Sequence, residues 1–269
     1  MLRLIVMEVA AAQSVRRWLR RRARRRRWRH EASRFRSRPL SLRGWLGVWI
    51  FVVSATVVMA GLYVSTAETP TEQSRIMLAR LGMIPVLAQR PPHRDDYDRA
   101  AFGMPWTDQA DVVNGHNGCD TRNDILARDL TDIRTGPTSG CAHAVISGEL
   151  RSPYTGGFVA FRRGRNSAAI QIDHIVPLSF AWDMGANNWS ATQRANLAND
   201  PANLVAVDGT SNMDKSDQEP GRWMPPAKAF HCQYATQFVA VLDAYRLYLD
   251  VPSRDVLARV LHGCFRSRG

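Results

Sequence analysis

The sequence predicts an α+β fold in which a few short strands lie within a mostly helical domain, and one transmembrane helix precedes that domain. Two observations lead to this prediction. Residues 44–67 contain no charged side chain, and about 20 apolar residues are enough to cross a bilayer core as a helix. From residue 121 onward, stretches with helical periodicity outnumber the short, turn-bounded stretches typical of strands.

The 269-residue chain divides into four segments. We interpret residues 1–43 as an Arg-rich, disordered cytoplasmic arm and residues 44–67 as the transmembrane helix or signal-anchor, with a buried core helix as the alternative. Residues 68–93 hold four prolines, which is typical of a linker. Residues 94–269 are predicted to form the folded domain.

The positive charge lies almost entirely in the arm. The net charge is +12, and residues 1–43 hold 15 arginines against two glutamates, so the remainder is close to neutral. A basic stretch directly before an apolar one stays in the cytoplasm, which places the domain on the far side of the membrane. The domain is then either anchored through residues 44–67 or secreted after cleavage near Ala67. Being near neutral, it has to hold a polyanion through local groups or a metal ion.

All four cysteines follow the apolar segment: Cys119, Cys141, Cys232 and Cys264. They contain no Cys-x-x-Cys pair, which argues against a zinc knuckle. An even number of cysteines in an exported domain indicates two disulfides. Three connectivities are possible, and we expect sequence neighbours to pair, Cys119 with Cys141 and Cys232 with Cys264. Buried free thiols are the alternative.

Helical patterns cover residues 121–130, 178–184, 191–198, 227–249 and 253–262. Within the linker, a short apolar piece over 76–87 is compatible with a helix that Pro85 would end. Residues 158–163 and 168–175 are typical of strands and are predicted to be joined by the tight-turn composition Gly164-Arg165-Asn166-Ser167. A short extended run follows at 203–207.

The residues that carry chemistry begin where the second predicted strand ends. Asp173 and His174 are adjacent there, so their side chains leave a strand on opposite faces and share one site only if the chain bends. Asn203 and Asn212 follow further along the chain. In one-metal phosphodiester hydrolysis a hard cation such as Mg²⁺ takes oxygen ligands, and Asp173 and Asn212 supply a charged and a neutral oxygen.

The remaining motif residues have supporting roles in the same chemistry. His174 is suited to removing a proton from water near neutral pH. The amide of Asn203 can bond backbone across the turn and hold the His174 loop. Lys215 can place a positive charge near the phosphate.

This constellation resembles the ββα-metal, or HNH, nuclease motif. It is similar to the HNH domain of RNA-guided nucleases in its D-H-I-V-P start, its first Asn and its N-x-x-K-S ending. Across about residues 94–264 the chain is also similar to the C-terminal HNH domain of GmrSD-type restriction enzymes, especially exported actinobacterial members. The shared segments are Cys119 to Asn123, Pro153 to Gly156, Asp173 to Leu178 and Asn212 to Asp217.

The resemblance implies a hairpin-plus-helix core and metal-dependent hydrolysis of nucleic acid, with DNA favoured over RNA as the substrate. Carried over by position, it makes Asp173 and Asn212 metal ligands, His174 the general base and Asn203 the structural Asn of the motif. The third motif position is often His. Asn212 at that position favours Mg²⁺, with Mn²⁺ as the alternative, over a zinc-type site.

Two more residues are candidates for binding the substrate. The resemblance brings Arg122 toward the active site as a substrate-binding residue, with helix capping and a surface salt bridge as alternatives. Tyr154 can stack on a base or pack beneath the hairpin.

The competing functions are a catalytically silent module that binds nucleic acid or a partner, and an envelope protein in which the motif is accidental. DNA cleavage that requires a divalent metal and His174 separates these possibilities.

Overall fold

The computed structural model describes residues 45, 49, 51–54, 56, 70–164 and 166–266. The chain forms two units, Met1–Ala67 and Glu68–Gly269, and the second unit holds the helices and strands that surround the motif residues. The predicted arm over residues 1–43, the cleavage position near Ala67 and Arg165 of the predicted turn lie outside the described residues.

Helices and strands are interspersed along the described part of the second unit. The helices are α1 Pro70–Leu81, α2 Thr121–Asp129, α3 Leu178–Asp183, α4 Ala191–Asn199, α5 Gly209–Lys215, α6 His231–Tyr245 and α7 Val251–Arg266. The strands are β1 Val86–Leu87, β2 Thr131–Thr138, β3 Cys141–Arg151, β4 Phe158–Arg162, β5 Ile170–His174, β6 Leu204–Asp208 and β7 Leu249–Asp250. Short 3₁₀ turns, including Arg99–Phe102, join several of them.

Polar side chains at the first positions set where several helices begin. Asp120 precedes α2, Asp208 precedes α5, and each accepts a hydrogen bond from the backbone amide three residues on. Ser190 and Gln193 form a reciprocal capping box at the start of α4. These side chains satisfy backbone amides that have no partner inside the helix, which is why Asp and Ser are favoured at this position.

The strands of the described residues form three separate ladders. β2, β3 and β4 make an antiparallel sheet in that order, and β1 pairs in parallel with β7. β5 and β6 form an antiparallel pair in which Asp173 lies opposite Val205 and His174 lies opposite Leu204. α5 follows β6 directly, so β5, β6 and α5 make a unit of two paired strands and one helix.

The turn predicted between β4 and β5 does not join a hairpin. β4 pairs with β3, whereas β5 pairs with β6, and the 3₁₀ turn Ser167–Ala169 lies between the two strands. The strands differ in burial: β5 and β6 are almost entirely buried, while β4 exposes one face. Local turn composition therefore marks the break in the chain but does not decide which strand pairs with which.

The β5–β6 pair lies between two apolar clusters. Ile170, Ile172, Leu204 and Ala206 point into the smaller cluster, which α2 and the inner face of the β2–β4 sheet complete. Val205 and Val207 point into the larger cluster, to which α1, α3, α6 and α7 contribute. Both faces of the hairpin are thus covered, which holds the end of β5 rigidly where the motif residues begin.

The described part of the predicted linker 68–93, residues 70–93, folds with the domain. α1 packs against α6 and α7 and buries Met77 and Leu81, and Ile84 follows them into the same cluster. β1 then pairs with β7 near the C-terminus. The folded unit therefore begins before residue 94, because this segment carries an apolar face that its proline content does not reveal.

The predicted fold class needs correction in two respects. The domain mixes helices with a substantial sheet, β2–β4, and is not a mostly helical domain with one hairpin. Among the residues that the structure describes, no helix has the length and apolar character needed to cross a membrane. The transmembrane helix predicted for residues 44–67 is therefore unsupported.

Both expected disulfides are present. Cys119 is bonded to Cys141, which links the start of α2 to the start of β3. Cys232 is bonded to Cys264, which links α6 to α7. The pairing between sequence neighbours is confirmed, and the alternative of free thiols is excluded for these four residues.

Candidate active site

A cavity of about 270 Å³ opens where β5 ends, and it is lined by Asp173, His174 and Asn212 together. Asp173 and His174 leave the strand toward opposite clusters, as their adjacent positions require. They border the same cavity because they are the last residues of β5, after which the chain turns at Pro177 into α3. α5 brings Asn212 to the same wall.

The Asp173 carboxylate is held by two buried donors. Lys215 Nζ donates to Asp173 Oδ2 at 2.7 Å and to the backbone oxygen of His174 at 2.6 Å. The Tyr154 hydroxyl donates to the same Oδ2. Burial lowers the pKa of the Lys215 ammonium, and the Asp173 carboxylate opposes that shift. With Oδ2 engaged twice, Oδ1 is the Asp173 oxygen that remains for a ligand.

Lys215 does not occupy the place predicted for it, and Tyr154 takes the packing alternative and not the stacking one. Both side chains have 0% of their surface exposed, so neither contacts a phosphate or a base in this fold. Tyr154 packs edge-on against Trp223 and Tyr234 in the larger cluster. From their buried positions both residues orient the Asp173 carboxylate, and Lys215 also neutralises its charge.

His174 is fixed in one tautomer by the backbone of α4. Its Nε2 lies 2.9 Å from the carbonyl oxygen of Ala198. A carbonyl oxygen only accepts hydrogen bonds, so Nε2 carries the proton and Nδ1 keeps the lone pair. The ring also stacks on Trp106, with centroids 5.6 Å apart and planes within 10°.

The pKa of His174 is lowered to about 3, mainly by burial. The hydrogen bond to Ala198 opposes this shift, and the positive charges of Arg99 and Lys215 add to it. The ring is consequently neutral in this environment. A neutral ring with a defined tautomer is the form that can accept a proton at Nδ1.

Asn203 ties the loop after His174 to the preceding helix. Its Oδ1 accepts from the Val176 amide at 2.8 Å, and its Nδ2 donates to the carbonyl oxygens of Val176 and Leu197 at 3.2 and 3.3 Å. The residue is fully buried. These are the backbone bonds across the turn that the sequence predicts, and they define a positioning residue.

Asn212 is oriented by Gln171, a residue that sequence reasoning missed. Asn212 Nδ2 donates to Gln171 Oε1 at 2.8 Å, so the amide oxygen of Asn212 is the atom left for a ligand. A Cβ on Gly209 would lie 3.0 Å from Gln171 Nε2 and 2.9 Å from the Ala168 carbonyl oxygen, so glycine allows this close approach. Period-two alternation along β5, which places Gln171 and Asp173 on one face, was the available signal.

Arg122 lies away from the cavity. Its Nη2 donates to the carbonyl oxygens of Ser167 and Ile170, both at 2.9 Å. The side chain therefore braces the start of β5, at the opposite end of the strand from Asp173. This placement differs from the predicted contact with substrate.

Arg99, inside the predicted domain, also lines the cavity. Its side chain is exposed and borders both this cavity and the small pocket beside His174 and Trp106. Sequence reasoning missed it because nothing in its neighbourhood distinguishes it from other surface arginines. Only the folded chain brings the 3₁₀ turn Arg99–Phe102 to the end of β5.

A buried ionic network forms the wall behind Asp217. Arg90 donates to Asp183 Oδ2 at 2.9 Å, to Glu219 Oε2 at 3.0 Å and to Ser179 Oγ at 2.9 Å. Ser179 in turn donates to Asp217 Oδ2 at 2.9 Å. Burial raises the pKa of Asp217, but the hydrogen bond from Ser179 and the charge of Arg90 outweigh it and leave the pKa below its usual value.

The donor set fits a hard divalent cation. Asp173 Oδ1 and the Asn212 amide oxygen are both oxygens, and both residues border the cavity. Among the described residues no cluster of three or more His, Cys, Asp or Glu side chains is arranged to hold a metal. Two protein oxygens suit Mg²⁺ or Mn²⁺, which keep several water ligands, better than a closed zinc site.

Comparison with known proteins identifies a family and one relative. The profile of the GmrSD restriction endonuclease C-terminal domain matches residues 120–259. An uncharacterized secreted protein of Arthroderma benhamiae is 35% identical over 222 residues, which cover 80% of this chain and 98% of the relative. No solved structure matches the chain.

Proposed function

The chain belongs to the family of GmrSD restriction endonuclease C-terminal domains, and we propose that it is a metal-dependent endonuclease that hydrolyses phosphodiester bonds of nucleic acid. The observation that carries this proposal is that Asp173, His174 and Asn212 line one cavity, while His174 Nδ1, Asp173 Oδ1 and the Asn212 amide oxygen are the atoms that the hydrogen bonds described above leave open. Each of these atoms is left for chemistry because a hydrogen bond to another residue engages the other polar atom of the same side chain.

The proposed cofactor is Mg²⁺, or alternatively Mn²⁺, held by Asp173 and Asn212. When bound, such an ion neutralises charge on the phosphate and on the leaving oxygen. His174 removes a proton from the attacking water at Nδ1, while the Ala198 carbonyl holds the ring in position. The water oxygen forms a bond to phosphorus, the bond from phosphorus to the 3′ oxygen breaks, and that oxygen takes a proton from solvent.

Arg99 is the residue that we propose for direct contact with the phosphate, in place of the buried Lys215. It is exposed at the rim of the cavity and lies close enough to His174 for its charge to act on that ring. A guanidinium can donate two parallel hydrogen bonds to phosphate oxygens. DNA is the proposed substrate, and RNA is the alternative that the assay includes.

We also propose that the domain works outside the cytoplasm. The relative from Arthroderma benhamiae is described as secreted. The two disulfides, Cys119–Cys141 and Cys232–Cys264, are of the kind that persists in oxidising compartments.

Cleavage of supercoiled plasmid by the purified protein tests the activity. We expect nicking with Mg²⁺ or Mn²⁺, no nicking in EDTA, and at least a hundredfold slower nicking in His174→Ala and Asn212→Ala. His262→Ala, an exposed histidine on α7, is the matched control and should cleave at the wild-type rate. Intact plasmid and intact RNA across both metals, with a folded protein, would contradict the proposal and leave a binding module as the function.

A further inference from the structure

The β2–β4 sheet has an outer face that the active site does not use. Arg134 lies opposite Ser147, Ser147 lies opposite Arg162, and Arg151 lies opposite Phe158. Residues directly opposite each other in antiparallel strands project from the same side of the sheet. We call the set Arg134, Arg151, Phe158 and Arg162 the arginine face.

The inner side of the same sheet is a closed core surface. Val145, Leu150 and Phe161 project there into the smaller cluster. All four residues of the arginine face are exposed, and Phe158 has 69% of its surface in solvent. An exposed aromatic ring among arginines places a stacking surface next to groups that bind phosphate.

Charge and ring chemistry indicate what that partner is. Three arginines share this face with the Glu149 carboxylate, in a domain that is otherwise close to neutral. The Arg151 guanidinium lies over the Phe158 ring, 5.9 Å from its centroid. Arginines bind phosphates, and an exposed aromatic ring stacks on an unpaired base, which is the combination found where single-stranded nucleic acid binds.

The dimensions of the face suit several nucleotides. From Arg162 to Phe158 the strand covers four residue steps, about 13 Å at about 3.3 Å per residue. Ser147 and Ala160 lie between the larger side chains. Their small size leaves room for a strand to run along the middle of the face between the arginines.

One end of the face is connected to the active site by the β3–β4 turn. Ser152, which follows Arg151, donates to Asp208 Oδ2 at 2.6 Å, and Asp208 caps the helix that carries Asn212. Tyr154 of the same turn donates to Asp173. A strand that leaves the face at its Arg151 end is therefore next to the elements that hold both proposed metal ligands.

We propose that the arginine face binds a single-stranded stretch of the nucleic acid substrate and delivers it to the cavity at the end of β5. Arg134, Arg151 and Arg162 bind its phosphates, and Phe158 stacks on an unpaired base. This inference rests on the proposed nuclease function. It adds a substrate form, single-stranded or locally unpaired nucleic acid, that the active-site residues by themselves do not specify.

Binding without cleavage tests the proposal separately from activity. Fluorescence anisotropy of the full chain in EDTA is measured with a labelled 20-nucleotide single strand and with the matching duplex. The triple variant Arg134→Gln, Arg151→Gln and Arg162→Gln should bind the single strand at least tenfold more weakly, with a salt dependence that is smaller by about two in log–log slope. Phe158→Ala should weaken single-strand binding at least fivefold and leave duplex binding within twofold.

A second triple variant, Arg246→Gln, Arg254→Gln and Arg259→Gln, makes the same charge change at the end of α6 and on α7 and should bind like the wild type. Equal losses in the two triple variants, or unchanged single-strand binding in Phe158→Ala, would overturn the proposal. Hydrolysis of bis(p-nitrophenyl) phosphate, too small to reach the face, should proceed normally in the arginine-face variant. A wild type that binds as predicted but hydrolyses neither this ester nor DNA would refute the nuclease function and retain the binding face.

Discussion

Lys215 has no exposed surface, although a lysine in this motif position is expected to contact a phosphate. Its ammonium group lies between the Asp173 carboxylate and the backbone oxygen of His174. Through this pair Lys215 positions both residues of the Asp-His step at once. Its contribution is therefore to the shape and charge of the site, and among the described residues that line the cavity Arg99 carries the positive charge.

Removing the Lys215 charge should destabilise the fold. We expect Lys215→Met to lower the free energy of unfolding by about 3–5 kcal/mol, because breaking a buried pair leaves the Asp173 charge uncompensated. Urea denaturation measures this change. Lys228→Met, an exposed lysine, is the control and should change stability by less than about 0.5 kcal/mol. Equal stability of the two variants would show that the buried pair contributes nothing.

Arg99 should affect catalysis and not folding. We expect Arg99→Ala to lower kcat/KM for DNA about 10- to 100-fold, because one charged donor to the phosphate is lost. Arg99→Lys should recover part of this loss, and Arg259→Ala on α7 serves as the matched control. If Arg99→Ala cleaves DNA as well as the control does, the phosphate contact belongs to another residue.

Helix α5 brings Asn212 to the cavity, and the first turn of this helix depends on Asp208. This carboxylate caps α5 and also accepts hydrogen bonds from Ser152 and Thr155 of the β3–β4 turn. Burial alone would raise the pKa of Asp208, but these hydrogen bonds outweigh it and lower the pKa. The cap thus joins the site helix to the end of the arginine face.

The lowered pKa of Asp208 predicts a specific acid sensitivity. Its stabilising contribution is complete above the unfolded-state pKa of about 3.9 and is lost as pH falls through the lower folded-state value. Asp208→Asn should therefore be less stable than the wild type above about pH 4, with the difference shrinking toward pH 2. Urea midpoints measured from pH 2 to 6 test this, with Asp95→Asn, an exposed aspartate, as the control. A pH-independent difference would contradict it.

For the whole molecule, the segment before residue 94 is part of the folded unit. α1 covers the apolar faces of α6 and α7, and Arg90 neutralises the buried Asp183 and Glu219. Arg90 is also connected through Ser179 to Asp217 at the cavity wall. The N-terminal segment therefore supports the active site although it contributes no motif residue.

Two truncations separate a linker from a structural segment. A chain starting at residue 68 should unfold in one cooperative transition, because it keeps the whole second unit. A chain starting at residue 94 should show no cooperative transition or a much lower urea midpoint, since it exposes apolar surface and leaves two buried carboxylates without Arg90. If both chains unfold at the same urea concentration, residues 70–93 do not stabilise the domain.

The sequence by itself determined the features that depend on short-range chemistry. Periodicity located most of the helices after residue 120, and the order of the cysteines predicted both disulfides. The spacing of Asp173, His174, Asn203 and Asn212 predicted one site. Asp173, His174 and Asn212 line one cavity at the end of β5, and Asn203 holds the loop after His174. These signals are readable because each depends on neighbouring residues or on a recurring motif.

Only the tertiary structure decided which strands pair, which charges are buried and which segments belong to the domain. Lys215 reaches Asp173 across 42 residues, and Arg90 reaches Glu219 across 129. β4 and β5 are neighbours in sequence but belong to different sheets. Strand pairing and burial depend on how apolar surfaces from distant parts of the chain cover one another. The sequence of a single segment does not specify which other segment will bury it.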